Sequence, residues 1–292
     1  MREKSTLASL LKTGTQILEK AGIEEARLDA WLLLEYAAGI TRAYYYAHPE
    51  RELSSEEEKR CLWLFEKRAE RIPLQHLTKE ACFMGHSFYV DEHVLIPRQD
   101  TEILTELAIK ELRGKSSPGV LDMCTGSGCI LISILLALEG ACGVGVDVSD
   151  EALAVAEKNA AALGVKDRIR FIRSDLFSGV DSAQGAIFDL IVSNPPYIPT
   201  REIETLSPEV RLQDPRLALD GGDDGLDFYR RIAEEAGAYL KKGGTLLLET
   251  GCSQTEEVKA LLQEAGYTDI GIYKDLSGLN RAVRGRRSQK SA

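Results

Sequence analysis

Phe188-Asp189-Leu190-Ile191-Val192-Ser193-Asn194-Pro195-Pro196-Tyr197-Ile198 sets the fold class of this chain. The apolar run Phe188 to Val192 predicts a buried parallel strand, because strands covered on both faces are almost continuously apolar. Two prolines stop it. Each lacks an N–H and fixes its own φ, and the residue before a proline is pushed out of the helical region, so Asn194 and the Pro195 carbonyl are left in a stiff, extended turn. In open α/β sheets ligands bind beyond the carboxyl ends of strands, where this turn falls.

The turn suits a planar NH2 group. The Asn194 side-chain oxygen and the Pro195 carbonyl each accept one N–H hydrogen, and the Tyr197 ring offers a flat face to an amide or a nucleobase. None of these groups is a strong nucleophile or base. The chemistry they support is positioning of a weakly nucleophilic nitrogen against a reactive electrophile. The plain alternative is a surface turn, since Asn and Pro are common turn residues.

Working outward, the stretch from Val120 onward alternates strands and helices. Val120-Leu121-Asp122-Met123 predicts a strand, Cys124-Thr125-Gly126-Ser127-Gly128 a glycine loop and Ile130 to Leu138 a buried helix. Gly143 to Val148 predicts the next strand, ending at Asp147, and Ser149 caps a helix whose first turn holds Asp150 and Glu151. Ile169 to Ile172 predicts a third strand, followed by Ser174-Asp175-Leu176-Phe177. The fourth reaches Asn194, Gly243 to Glu249 gives a fifth, and strands near Ile270 and Arg281 finish a doubly wound α/β sheet.

Two features suggest the cofactor. Gly126 and Gly128 let the backbone approach a ligand closely, and Asp147, at the end of the following strand, can accept hydrogen bonds from both ribose hydroxyls. A dinucleotide is the rival, but the third glycine of G-x-G-x-x-G is replaced by Leu131. The succession of glycine loop, Asp147, Asp175-Leu176 and Asn194-Pro195-Pro196-Tyr197 after consecutive strands is the order of a methyltransferase that uses S-adenosyl-L-methionine.

Upstream, the pattern is helical. Leu7, Leu10, Leu11, Ile17 and Leu18 predict one amphipathic helix, and Leu28, Trp31, Leu32, Leu34 and Glu35 a second. Ser54 and Glu57 form a capping box that opens a third helix, closed by Pro73 after Ile72. Tyr44-Tyr45-Tyr46 reads as core filler or as a partner surface. From Phe83 to Ile96 the period changes to two around Asp91-Glu92, which predicts a β-hairpin. Asp100 or Thr101 then caps a helix through Leu107 to Leu112. The expected domains are 1–80, helical; 81–99, a hairpin linker; and 100–292, a Rossmann-like class I methyltransferase domain.

With 292 residues, 44% of them hydrophobic, the chain can bury a large core. A net charge of -10 argues against broad phosphate neutralisation on duplex nucleic acid. Arg281, Arg284, Arg286, Arg287 and Lys290 make a basic end that reads as a solvated terminus. Six cysteines without a C-x-x-C pair point to reduced thiols and a cytoplasmic setting. Cys82, His86 and His93 are close in sequence, but no zinc-ligand spacing is present. After the charged Met1-Arg2-Glu3-Lys4 no cleavable apolar segment follows, and the run Cys129 to Leu138 is too short to span a bilayer.

The chain resembles the release-factor glutamine N5-methyltransferases over nearly its whole length. The resemblance rests on Pro73-Leu74-Gln75, Phe83 with Gly85, Ile96-Pro97-Arg98, Thr125 to Gly128, Ser193 to Ile198, Asp223 to Arg231 and Lys274 to Gly278. It implies methyl transfer to the side-chain amide nitrogen of glutamine in the Gly-Gly-Gln motif of class I peptide chain release factors. The product would be S-adenosyl-L-homocysteine, in a monomeric enzyme with no membrane or direct nucleic-acid partner.

Matched by motif position, Cys124, Thr125, Gly126, Ser127 and Gly128 would hold the methionine end of the cofactor. Asp147 would hold the ribose, with Asp175 and Leu176 flanking the adenine and Asn194 close by. Asn194, Pro195, Pro196, Tyr197 and Arg98 would take the substrate, with catalysis at Asn194, Pro195 and Tyr197. The helical domain and hairpin would dock the release factor. Some positions depart from the family pattern: Gln99-Asp100 stands for Pro-Glu, Lys79 and Cys124 for Gly, His76 for Tyr, and Thr250 for Ile. The competing functions are a DNA adenine-N6 methyltransferase, which would flip its base into the same grip, methylation of another protein glutamine, and a non-enzymatic adaptor. An adaptor would have lost the grip or cofactor residues, and both sets are present.

Overall fold

The computed structural model describes residues 5–181 and 187–288. Five helices open the chain: α1 (Leu7–Lys20), α2 (Ala26–Ala38), α3 (Arg42–Ala47), α4 (Ser55–Ala69) and α5 (Leu74–Thr78). Next come β1 (Glu80–Phe83), β2 (His86–Tyr89), α6 (Glu102–Leu112), β3 (Gly119–Met123), α7 (Cys129–Ala137), β4 (Cys142–Asp147), α8 (Asp150–Ala162), β5 (Ile169–Arg173) and β6 (Phe188–Ser193). The chain closes with α9 (Pro208–Gln213), α10 (Asp227–Tyr239), β7 (Leu240–Glu249), α11 (Thr255–Glu264), β8 (Thr268–Lys274) and β9 (Asn280–Arg286). Two compact units result. One is Met1–Glu80 with Ser207–Gln213; the other is Ala81–Leu206 with Asp214–Ala292.

In the helical unit, capping boxes start both long outer helices: Thr6 with Ser9 opens α1, and Ser54 with Glu57 opens α4. Leu7, Leu10 and Leu18 of α1 pack with Leu33 and Leu34 of α2 and with Leu64 and Phe65 of α4. The buried stripe of α2 differs from the sequence expectation, for Leu28 is exposed and Leu33 is buried. Ala30 and Ala37 let that face approach its neighbours, which a count of large apolar residues overlooks. Of the three tyrosines, Tyr45 meets Trp31 edge-on at 5.2 Å, while Tyr44 and Tyr46 are exposed. Core filler therefore describes Tyr45 alone.

A buried ion cluster ties α9 into this unit. Arg68 Nε donates to Asp29 Oδ2 at 2.7 Å, and Arg68 Nη1 and Arg71 Nη1 both reach Glu209 Oε1 at 3.1 Å.

The second unit holds a seven-stranded sheet in the order β5-β4-β3-β6-β7-β9-β8, parallel except for β9, which runs antiparallel to both neighbours. Both faces are covered. Val120, Leu190, Val192 and Leu247 pack beneath α6 and α7, while Leu121, Ile191, Leu246 and Leu248 pack beneath α10 and α11. This is the period-two alternation of a strand buried on both sides.

Three expectations are corrected here. The hairpin turns at Met84-Gly85, whose φ values of 52 and 75 suit a two-residue primed turn, and not at Asp91-Glu92. Val90, Val94 and Ile96 instead pack on Ala152 and Val155 of α8. Thr101 does not cap α6, because it ends a 3-10 turn (Gln99–Thr101) that runs straight into the helix. The basic end is not a solvated terminus, since Arg281, Arg284 and Arg286 lie in β9. Arg284 and Arg286 reach Glu111 at 2.9 and 2.6 Å. Lys290 and the stretch Met1 to Lys4 lie outside the described residues.

Among the described residues no helix is long and apolar enough to cross a membrane, and no group of three or more His, Cys, Asp or Glu could hold a metal ion.

Arg68→Ala leaves Asp29 without its cation and Glu209 with Arg71 alone, a loss of about 3–5 kcal/mol for a broken buried pair. Denaturant titration is expected to show that loss, and Arg68→Ala with wild-type stability would contradict it.

Candidate active site

One cleft gathers most of the residues singled out in the sequence. Arg98, Cys124, Thr125, Gly126, Ser127, Asp147, Asp175, Leu176, Asn194 and Pro196 line it. Gly128, Pro195 and Tyr197 are not among its lining residues. Its space, open mouth included, is about 1050 Å³.

The glycine loop is held from below. Thr125 N–H donates to the Val146 carbonyl at 2.9 Å, and Thr125 Oγ1 to Asp122 Oδ2 at 2.6 Å. Gly126 has φ +53, and a Cβ there would meet nothing within 4 Å, so its missing side chain leaves open space. Cys124 also has positive φ, 57, and so does Lys79, 59, at the end of α5. Both backbones would suit glycine, since a side chain costs roughly 1–2 kcal/mol in the left-handed region. Burial pushes the Cys124 thiol well up, with Asp147 adding to the shift, so this cysteine is no thiolate at neutral pH.

Asp147 accepts from the Gly126 N–H at 2.9 Å through Oδ2 and from the Ser149 N–H at 3.1 Å through Oδ1. The carboxylate keeps acceptor capacity for a ligand. Burial raises its pKa, and the N–H groups of Gly126, Ser149 and Val148 oppose that rise. Leu176 is buried with φ 48, and Asp175 pairs with Arg231 at 2.9 Å.

Glycines back the Asn-Pro-Pro-Tyr turn. A Cβ on Gly221 would lie 2.7 Å from Tyr197 Cα, and one on Gly225 2.4 Å from the Tyr197 carbonyl. Ile198 exchanges backbone hydrogen bonds with Leu219 and Gly221 at 3.0 and 2.9 Å, and Gln254 Nε2 donates to the Tyr197 carbonyl at 2.9 Å. Tyr197 packs at the edge of the core under α10, and burial pushes its hydroxyl up to about 12.

Several partners escaped the sequence reading. Asn159 of α8 accepts from the Tyr89 N–H at 2.7 Å and donates to the Ser127 carbonyl at 2.9 Å, joining β2 to the loop. Arg98 meets Asp214, whose side chain is 1% exposed, at 2.7 Å. Burial raises Asp214 to about 6, with Arg98 opposing. Pro215, Leu217, Ala218 and Phe228 complete the wall. No spacing marks these residues as partners of the loop.

Two carboxyls are buried beside the site. Asp122, 0% exposed, is raised to about 7 by burial, and Glu249, 2% exposed, is raised to about 7 for the same reason. A carboxyl whose folded pKa exceeds its unfolded one holds more protons in the folded state. Stability therefore falls as pH rises from about 4.3, the unfolded value, to about 7. Glu249→Gln is expected to raise stability at pH 8 by on the order of 2–3 kcal/mol, and by much less at pH 5. Thermal unfolding at both values checks this; an equal gain at both would refute the assignment.

Residues 9–78 match the PrmC N-terminal domain, and residues 115–281 match a methyltransferase domain. The chain is 42% identical over 280 residues to the release factor glutamine methyltransferase of Caulobacter vibrioides, covering 96% of each chain. It is 41% identical over 281 residues to the enzyme of that name from Geobacter sulfurreducens, again covering 96% of each. Among solved structures, a methyltransferase from Pyrococcus furiosus shares the fold, at 17% identity and TM-score 0.51, over 76% of this chain and 99% of that one. With this identity over nearly the full length of its relatives, and with both domains matched, the chain belongs to the release factor glutamine methyltransferase family.

Proposed function

We propose that this protein transfers a methyl group from S-adenosyl-L-methionine to the side-chain amide nitrogen (N5) of the glutamine in the Gly-Gly-Gln motif of class I peptide chain release factors. This protein methylation would serve translation termination. The observation that carries the reading is the placing of Asn194 on the same cleft as Asp147 and the Gly126 loop. An acceptor for an NH2 group thus faces a cradle suited to a nucleoside.

The cradle fits the cofactor. Asp147 keeps acceptor capacity for ribose hydroxyls, Gly126 leaves room beside the backbone, and Leu176 gives the adenine an apolar wall. Thr125, Ser127 and the neighbouring loop backbone would hold the methionine end. S-adenosyl-L-methionine supplies a sulfonium methyl and is released as S-adenosyl-L-homocysteine.

The remaining work falls to the chain. Asn194 Oδ1 and the Pro195 carbonyl accept the two hydrogens of the glutamine NH2, and Pro196 and Tyr197 shape the slot for its amide plane. An amide nitrogen shares its lone pair with the carbonyl and attacks poorly. Two acceptors on its hydrogens favour pyramidalisation and aim the lone pair at the methyl. Once methylated, the nitrogen is strongly acidic and loses its proton to Asn194, the backbone or water, so no general base is required. Holding the reacting atoms at about 3–3.5 Å can supply on the order of 7–11 kcal/mol of the barrier.

Arg98, anchored by Asp214 at the cleft, takes a polar group of the substrate. Residues 1–80 and the hairpin region 81–99 dock the release factor, and 100–292 carry out transfer, in a monomeric cytoplasmic enzyme.

Transfer of labelled methyl to a purified class I release factor tests the reading, with the motif glutamine replaced in one control and duplex DNA as another. Label on the intact factor alone is expected; label on DNA instead would establish the adenine reading. Asn194→Ala is expected to lower kcat at least about 100-fold, the scale of a lost transition-state hydrogen bond, with cofactor Kd nearly unchanged. Asp147→Ala should raise cofactor Kd about tenfold or more, since one charge-assisted hydrogen bond is worth about 1.5–3 kcal/mol. Calorimetric titration separates the two effects. An Asn194→Ala protein that no longer binds cofactor, or an Asp147→Ala protein that binds it normally, would reverse these roles.

A further inference from the structure

Thr101 and Asn194 meet in the wall of the cleft, with Glu249 beside Asn194. Asn194 follows Ser193, which is level with Leu248 in the β6–β7 register, so Glu249 stands next to Asn194 on the neighbouring strand. Asn194 Nδ2 donates to Thr101 Oγ1 at 3.3 Å. Thr101 and Asn194 line the cleft. Glu249 lies behind them, 2% exposed, and its Oε2 has no hydrogen-bond partner among the described residues.

The Glu249 carboxyl lies within electrostatic reach of the Thr101 hydroxyl, the Asn194 amide, the Arg281 cation and the Asp100 anion. Arg281 is shared with Asp100 at 3.1 Å and Asp275 at 3.2 Å. The Tyr229 hydroxyl is directed elsewhere, donating to the Glu249 backbone carbonyl at 2.9 Å.

A side-chain amide has two orientations, alike in shape and opposite in hydrogen bonding. In one, Asn194 turns Oδ1 to the cleft and can accept from an incoming NH2 group. In the other it offers NH2 to NH2, and the grip fails. Burial raises the Glu249 pKa to about 7, so at pH 8 its carboxylate is ionised and only accepts; the Thr101 hydroxyl proton is then drawn toward it and the Oγ1 lone pairs are left for Asn194. Thr101 and Glu249 then both present acceptors to the Nδ2 side.

We infer that Thr101 and Glu249 are positioning residues that lock the Asn194 amide with its oxygen toward the cleft. The inference rests on the proposed use of Asn194 as acceptor for the substrate NH2 group. Neither residue touches the reacting atoms; both act through Asn194. A threonine that merely filled space would be replaced by valine without loss, because the two side chains have nearly the same shape.

The test compares wild type, Thr101→Val, Thr101→Ser and Glu249→Gln in single-turnover methylation of a release factor. A second arm follows solvent exchange of the Asn194 side-chain amide protons by nuclear magnetic resonance in the free enzyme, with the resonances assigned by their loss in Asn194→Ala. Thr101→Val is expected to slow transfer about tenfold or more, the scale of one hydrogen bond, with cofactor Kd unchanged. Thr101→Ser, which keeps the hydroxyl, should recover most of the rate. Glu249→Gln should fall between, because a carboxamide donates as well as accepts. Amide exchange should be slow in wild type and Thr101→Ser and fast in Thr101→Val. A Thr101→Val enzyme with wild-type rate and wild-type exchange, or a Thr101→Ser enzyme as slow as Thr101→Val, would overturn the inference. A wild-type enzyme inert on the release factor would sink the substrate reading alone, because the exchange arm reports the Asn194 orientation without any substrate.

Discussion

The site depends on one constraint: a strand buried on both faces must stop within one residue of the ligand cleft. β6 contributes Leu190 and Val192 to one core and Ile191 to the other, and Ser193 is fully buried. Pro195 and Pro196 then remove two N–H donors in succession, so β6 cannot lengthen. The turn is stiff for covalent reasons before any partner packs on it. Its neighbours are correspondingly small, and Gly221 and Gly225 fit where a Cβ would collide with the Tyr197 backbone.

A second theme is the burial of charge near the site. Asp122 supports the glycine loop through Thr125, and Glu249 lies next to Asn194. Both carboxyls are desolvated, with pKa values pushed up to about 7. Neither can contribute much to the stability of the ionised protein. They stand where a loop or an amide must be held in one orientation, and a hydrophobic residue of the same size could fill the space without directing a hydrogen bond.

Much of this was legible in the sequence because it is local. The parallel sheet showed in the apolar runs of β3, β6 and β7, the Ser149 cap in its own residue, and the loop and turn in Gly126 and Asn194-Pro195-Pro196. What escaped was tertiary. Thr101 reads as a helix cap, since threonine before a helix usually is one, yet its hydroxyl is taken by Asn194, far along the chain. Asn159 sits unremarked in the middle of α8, and only the fold brings it to Ser127 and Tyr89. Arg284 and Arg286 of β9 look like a charged tail because their partner Glu111 lies on the distant α6. The hairpin was expected around Asp91-Glu92 because those residues favour turns, while the left-handed Met84-Gly85 pair took the role.

The helical unit is not a contiguous stretch of chain. It contains α9, which arrives only after the Asn-Pro-Pro-Tyr turn has been made, and Glu209 of α9 joins the cluster of Arg68, Arg71 and Asp29. A crossover near residue 80 would therefore separate Glu209 from its two arginines, leaving Arg68 with Asp29 alone and Arg71 without this carboxylate. Exchange of residues 1–80 as a cassette would thus split the helical unit from the α9 stretch that completes it.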